Sequence, residues 1–464
     1  MMRYARFAIR RSFRFALWST FLSALLLPLG ARGQGPGPSP SEAPPASQEA
    51  GSASGRQVTL EEMYREALAR NEQVGIAREG LYRSEKEVNR SIGFLLPQLT
   101  LQAQYLRRPE TLFGSSNTFI LRPKEEEQFS AVLTQPLFTG GRALAAYRIA
   151  KRGVEGSRHD LNNVQEQLLF GVAQAYYTAL KARKNVAIDE AEVTRLEAHR
   201  RDAEKRFQVG EVTKTVVLRA EAELSGARAN LIKAKNDVET AKNQLSLLTK
   251  VPLGFDLEEP ALLDAPAGEE AELIRQAMEN RPDLARERIN IEIARQGVKS
   301  ARGTFLPSLN LQGRYDWIDQ SPSGSFLVRR DRSALLVLNF PLFEGGTRIA
   351  ELSQARSKVS EAELNRSLLE NQISLQVRND LLTLASITSA LQNLRDEVAF
   401  ARDNFAMVSR QFAVGLATNI DVLDANATLN TAELQLANTM YDRELVILQV
   451  YRDIGIFTKK VSPI

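Results

Sequence analysis

The residues of this chain whose spacing implies chemistry are solvating ones. Asn310, Gln312, Arg314 and Asp316 stand at every second position and alternate with Leu309, Leu311, Gly313, Tyr315 and Trp317. In an extended strand successive side chains point to opposite faces, so this spacing predicts a ribbon with one polar, charged face and one apolar face. Gln102 and Gln104 alternate with Leu101, Ala103 and Tyr105 in the same way. A barrel strand with lipid outside and water inside has this pattern, and so has a soluble sheet with one buried face. Alternation alone does not separate the two.

Residues for covalent or metal chemistry are scarce. The two histidines, His159 and His199, fall within a helical pattern without paired ligands and read as solvated surface side chains. The chain has no cysteine, hence no disulfide, no thiolate metal site and no lipidated cysteine. No glycine-rich nucleotide motif is present, so any energy for its work comes from a partner. The expectation is a non-enzyme without cofactor or metal.

The elements that carry the alternating segments are written twice. Phe94-Leu95-Leu96-Pro97-Gln98-Leu99 recurs as Phe305-Leu306-Pro307-Ser308-Leu309, with one residue dropped near Leu95. Pro136-Leu137-Phe138-Thr139-Gly140-Gly141 recurs as Pro341-Leu342-Phe343-Glu344-Gly345-Gly346, and Phe207-Gln208-Val209-Gly210 as Phe412-Ala413-Val414-Gly415. Three landmarks in constant order define two repeats of roughly 200 residues, at 57–251 and 268–457, joined by a proline-bearing linker at 252–267. Residues 458–464 read as a tail.

Each repeat reads helix, strand, strand, very long helix, helix. None of the 18 prolines falls between Leu137 and Val251 or between Leu342 and Ser462. Proline inside a helix costs about 3 kcal/mol, so these runs fit continuous helix. Leu384, Ile387, Leu391, Leu394, Val398, Ala401, Phe405, Val408 and Phe412 recur at threes and fours, a coiled-coil seam. The opening helix is predicted from a capping box at Thr59 and Glu62 to about Gly93; its counterpart, from Glu270 to Gly303, is interrupted at Asn280-Arg281-Pro282. Gly210 and Gly415 are expected to end the long helices, with Thr213 and Thr418 capping the next. The return strands are expected at about Gln128–Phe138 and Arg332–Phe343. Four strands cannot close a barrel; two chains would make a narrow one of eight, and three would make twelve. Glu125-Glu126-Glu127 and Arg329-Arg330-Asp331-Arg332 read as solvated hairpin ends.

At the start, Arg3, Arg6, Arg10, Arg11 and Arg14 precede the apolar run from Leu17 to Leu29 and the small residues Gly30, Ala31 and Gly33. This predicts a secretory signal peptide at 1–33, its apolar run too short to span a bilayer. A disordered Pro/Gly/Ser-rich leader is expected at 34–56. The chain's net charge of +4 includes six arginines and no acid before residue 34, so the mature part carries about −2. That balance gives no support for nucleic-acid binding.

The order of strands, Pro-Leu-Phe-x-Gly-Gly, long helix, Phe-x-Val-Gly turn and helix, written twice after a signal peptide, resembles the TolC-like outer membrane efflux protein family. The most specific part runs from Phe412 through Asp421 and Asp424 to Gly455. The resemblance implies a mainly α fold with a small transmembrane β part. A homotrimer would form a 12-stranded outer-membrane β-barrel continuous with a periplasmic α-helical barrel. It implies a passive exit duct in outer-membrane lipid, reaching through the periplasm to a periplasmic adaptor and an inner-membrane transporter, in a tripartite efflux pump or a type I secretion system. In the family's type member two aspartates after the second turn ring and constrict the periplasmic mouth; they match Asp421 and Asp424. The first repeat carries Val216 and Arg219 there instead. Ala417 stands where that protein has a gate arginine, and Phe412 where it has a tyrosine. The turns Val209-Gly210 and Val414-Gly415 match the adaptor contacts, and Asn310, Gln312, Arg314, Asp316, Gln102 and Gln104 would line the barrel lumen. Two other readings are a periplasmic adaptor, which has one hairpin and lipoyl-like strands, and a pore-free structural coiled coil.

Overall fold

The computed structural model describes residues 56–114, 120–324 and 327–461, with the backbone only of Leu121. The expected signal peptide and all of the expected leader except Arg56 lie outside the described residues.

The first repeat opens with β1 (Arg56–Val58), α1 (Leu60–Arg70) and α2 (Glu72–Gly93). The Thr59 hydroxyl accepts from the Glu62 amide at 3.2 Å, but the Glu62 carboxylate turns to Arg56 at 3.1 Å, so only half of the capping box forms. The single opening helix expected here is broken at Asn71, whose side chain accepts from the Gln73 amide at 2.9 Å and starts α2. Asn71 does what Arg281-Pro282 does in the second repeat, between α5 (Glu270–Asn280) and α6 (Pro282–Gly303). An asparagine cap is harder to read in sequence than a proline.

Next come β2 (Gln98–Arg107), the short pair β3 (Leu112–Phe113) and β4 (Ile120–Arg122), and β5 (Glu125–Phe138). The long hairpin α3 (Arg142–Gln208) and α4 (Lys214–Thr249) follows, then β6 (Phe255–Leu257). After α6 the second repeat gives β7 (Ser308–Ser321), β8 (Arg330–Asn339), α7 (Thr347–Ala413) and α8 (Asn419–Asp453), and a last turn α9 (Phe457–Val461). Helices α3 and α7 have 67 residues each, about 100 Å at 1.5 Å per residue. Both start from a left-handed glycine, Gly141 at φ 79° and Gly346 at φ 84°, which turns the chain sharply from sheet to helix without a Cβ penalty. Every member of the seam from Leu384 to Phe412 is buried or half-buried, and Val398 and Ala401 pack on Leu429 and Ala432 of α8.

The main sheet runs β2-β5-β7-β8, antiparallel throughout, with β2 and β8 as open edges. The helices follow the same order: α2 packs on α3, α3 on α6, and α6 on α7. The return strands differ from expectation at their ends. β5 begins three residues earlier, at Glu125, and holds Pro136 beside an irregularity that leaves Leu137 unpaired. β8 spans Arg330–Asn339 and stops before Pro341, which has no amide to donate, so Phe340 and Phe343 lie beyond it. The charge runs 125–127 and 330–332 thus belong to strands.

Two segments read as connections are part of the core. β6, inside the expected linker, pairs parallel with β1, and the Tyr176 hydroxyl lies 3.0 Å from the Val58 carbonyl and 2.6 Å from that of Glu258. Phe457 at the chain's end is fully buried against Tyr64 and Phe170, and the expected tail continues as helix to Val461.

Buried acids near this core set a pH dependence. Burial raises the Glu166 carboxyl to about 7, against the opposing pull of Arg452 and Arg281. Asp380 is raised by burial and by Asp453, to which its protonated form donates. Both carboxyls bind protons more tightly in the folded chain than in the unfolded one. Their contribution is therefore full below about pH 4 and is lost as pH rises toward 7. For Glu166 the loss is about 3 kcal/mol. The thermal midpoint in detergent is expected to fall between pH 5 and pH 8, and Glu166→Gln to flatten that slope; an unchanged slope would contradict the assignment.

Candidate functional site: the sheet faces and the hairpin tips

Residues paired directly across strands share a face. Gln102, Ser130, Asp316 and Asp331 form one row across the four strands; Thr100, Val132, Arg314 and Ser333 form the next on the same face. Gln104, Gln312 and Asn310 lie on that face too, so the six predicted polar residues come together. The Ser130 hydroxyl and the Arg314 guanidinium both donate to the Asp316 carboxylate. The face is not wholly polar: Leu335 and Val337 sit on it, opposite Gln312 and Asn310. That is why alternation on β8 reads poorly.

On the other face the rows are Leu99, Leu133, Gly313 and Ala334; Leu101, Ala131, Tyr315 and Arg332; and Ala103, Phe129, Trp317 and Arg330. Leu99, Leu101, Leu336 and Leu338 of this face are 50–65% exposed. Among the described residues no element covers them, an exposure that a soluble sheet with one buried face does not show. Among the described residues no helix is long and apolar enough to cross a membrane.

At the far ends of the long helices the two turns are built alike. Gly210 at φ 79° and Gly415 at φ 78° take the left-handed conformation, and the amides of Glu211 and Leu416 reach back to the carbonyls of Arg206 and Gln411 at 2.9 and 2.8 Å. Val209 and Val414 stand out at 71% exposure each. The starts of the returning helices differ. Thr418 and Asp421 form a full capping box, the Thr418 amide donating to the Asp421 carboxylate at 2.7 Å. Thr213 occupies the equivalent cap, but its hydroxyl makes no capping bond. Asp421 and Asp424 are both exposed on one side of α8, while Val422, Leu423 and Ala425 between and beside them are buried. They border a groove of about 270 Å³ with Asn404, Gln411 and Ala417. The Thr418 hydroxyl and amide hold the Asp421 carboxyl below the usual carboxylate range.

Sequence reading missed the contacts that tie the two tips together. His199 is half-buried rather than a solvated side chain. Its Nε2 lies 2.6 Å from Asn419 Oδ1, which only accepts, so Nε2 carries the proton. Its ring rests 5.3 Å from that of Phe412. The Arg206 guanidinium lies 4.9 Å over the same ring and donates to the Ala413 carbonyl at 2.6 Å. Further up, Glu192 accepts from Asn426 and Asn430, and Arg195 donates to Asn426 at 2.9 Å. Glu192, Arg195, His199 and Arg206 recur at heptad-like spacing on α3, a signal hidden by their polarity. Two hydrogen bonds and a cation–π contact are together worth about 2 kcal/mol. Amide exchange at Val414–Thr418 is therefore expected to speed up by roughly tenfold or more in His199→Ala/Arg206→Ala; unchanged exchange would show that these contacts do not hold the tip.

A four-stranded sheet with an uncovered leucine face, joined to helices about 100 Å long, is the build of an outer-membrane duct protein. The model of the outer membrane efflux protein family matches residues 63–249 and 273–455. The outer membrane protein TolC of Vibrio cholerae is 26% identical over 417 residues, covering 86% of this chain and 91% of that protein. The alkaline protease secretion protein AprF of Pseudomonas aeruginosa is 27% identical over 326 residues, covering 67% and 66%. The crystal structure of the CmeC outer membrane channel of Campylobacter jejuni shares the fold at a TM-score of 0.75 and 19% identity, covering 86% of each chain. The chain belongs to the outer membrane efflux protein family, and it serves as an outer-membrane exit channel.

Proposed function

We propose that three copies of this chain close into a 12-stranded barrel, β8 of each pairing with β2 of the next. The same ring brings α7 of each chain against α2 of its neighbour. The carrying observation is that sheet and helices run in one order and are left open at the same two sides. Gln102, Gln104, Asn310, Gln312, Arg314 and Asp316 then line the lumen, and the leucine face meets lipid. The exposed turns at Val209-Gly210 and Val414-Gly415 are the contacts for a periplasmic adaptor, which couples the duct to an inner-membrane transporter. The duct itself is passive and catalyses no reaction. Asp421 and Asp424 of three chains set six carboxylates around the periplasmic mouth.

Native mass spectrometry of the detergent-purified chain tests the assembly, and planar-bilayer recording tests the pore. A threefold mass with discrete openings is the expected result. A monomer without conductance would return the chain to the pore-free coiled-coil reading.

A further inference from the structure

From the arginines of β8 we propose that the outward face of the sheet carries a binding site for the phosphate groups of outer-leaflet lipid. The inference rests on the outer-membrane reading above. Arg330 and Arg332 alternate on β8 and share the apolar face, opposite Trp317 and Tyr315. Two residues apart in a strand, they stand about 7 Å from each other. They lie at the end of the sheet away from the helices, where β7 ends and β8 begins. Toward the helices the same face continues as Ala334, Leu336 and Leu338, the last two about two-thirds exposed. The arginines thus sit at the rim of the apolar band, at the level of Phe129, Tyr315 and Trp317, where aromatic side chains mark a membrane interface.

Neither guanidinium has a carboxylate partner among the described residues, and the Arg332 guanidinium lies 5.8 Å over the Tyr315 ring. The acids nearby are engaged. Asp319 meets Arg329 at 3.8 Å, Glu125 meets Arg107 at 3.6 Å, and Glu127 is not free. A neighbouring chain added to the β8 edge does not neutralise the pair, because β2 from Gln98 to Arg107 contains no acid. A planar guanidinium binds a phosphate through two parallel N–H bonds, and two of them on one interfacial strand fit a phosphorylated headgroup whose acyl chains cover the leucines below.

The test is native mass spectrometry of the full assembly with bis-phosphorylated lipid A and with its dephosphorylated form. Wild type is expected to retain the phosphorylated lipid in preference. Arg330→Gln/Arg332→Gln should lower that retention roughly tenfold, while Arg330→Lys/Arg332→Lys keeps most of it at unchanged assembly mass. Equal retention by wild type and the glutamine variant would overturn the proposal, and so would equal retention of the two lipids by wild type, a comparison that needs no variant. Displacement by millimolar inorganic phosphate would assign the pair to free phosphate instead. A wild-type chain that forms no detergent-stable assembly would overturn the barrel reading itself, an outcome distinct from the other three.

Discussion

Asp421→Asn/Asp424→Asn is expected to lower the cation-to-anion permeability ratio of the open duct by roughly tenfold, because a narrow mouth lined by one sign of charge concentrates counter-ions by that order. Val422, Leu423 and Ala425 of α8 are buried against the neighbouring helices, which leaves Asp421 and Asp424 on the free side, three residues apart. Asparagine is preferred to alanine in the test, since its side-chain oxygen still accepts from the Thr418 amide and keeps the helix start intact. Mutual repulsion in a ring of carboxylates would raise their affinity for protons, yet within one chain the bonds from Thr418 act on Asp421 in the opposite direction. The bonds from Thr418 thus oppose protonation of Asp421, and wild-type selectivity should persist at pH 5. Bilayer recordings of reversal potential in a salt gradient read both effects. A ratio unchanged in the double variant would place the selective constriction elsewhere, with the Asp316 and Asp331 row of the barrel as the next candidate.

The second large effect comes from glycines at the helix–sheet junction. A Cβ on Gly303 would lie 2.5 Å from the Gly140 carbonyl oxygen, and one on Gly140 would collide with the Gly303 carbonyl. These residues join the end of α6 to the start of α3. By the repeat, Gly93 and Gly345 are their counterparts, and within one chain a Cβ on either meets nothing within 4 Å. In the proposed trimer Gly93 of one chain meets Gly345 of the next as Gly303 meets Gly140. Gly303→Ala should then destabilise the chain itself by about 1–3 kcal/mol. Gly93→Ala should leave the single chain folded but act at three interfaces, for roughly 3–9 kcal/mol per assembly. Circular dichroism and native mass spectrometry separate the two outcomes. A Gly93→Ala protein that assembles like wild type would show that α2 and α7 do not repeat the junction of α6 and α3.

Much of this architecture was legible because it is periodic. The seam from Leu384 to Phe412 and the proline-free runs announce 67-residue helices, and the run from Leu309 to Trp317 announces a two-faced strand. What escaped is what periodicity does not carry. Asn71 ends a helix through one side-chain bond, and β1 and β6 are three-residue strands whose pairing spans nearly 200 residues of sequence. His199 and Arg206 were hidden for another reason. A polar side chain at a seam position reads as solvated until its partner, here Asn419, Phe412 or the Ala413 carbonyl, is known. The charge runs at the hairpins likewise read as loops, because a strand that ends at a membrane surface changes composition before it changes conformation.

The open edges of the sheet bear on biogenesis. Along β2 and β8, ten residues each, alternate backbone groups have no strand partner among the described residues. Each such group costs several kcal/mol in hydrocarbon, so a solitary chain is barred from the bilayer by tens of kcal/mol. If three chains close as proposed, insertion cannot precede closure, and no half-built pore forms in the bilayer on the way.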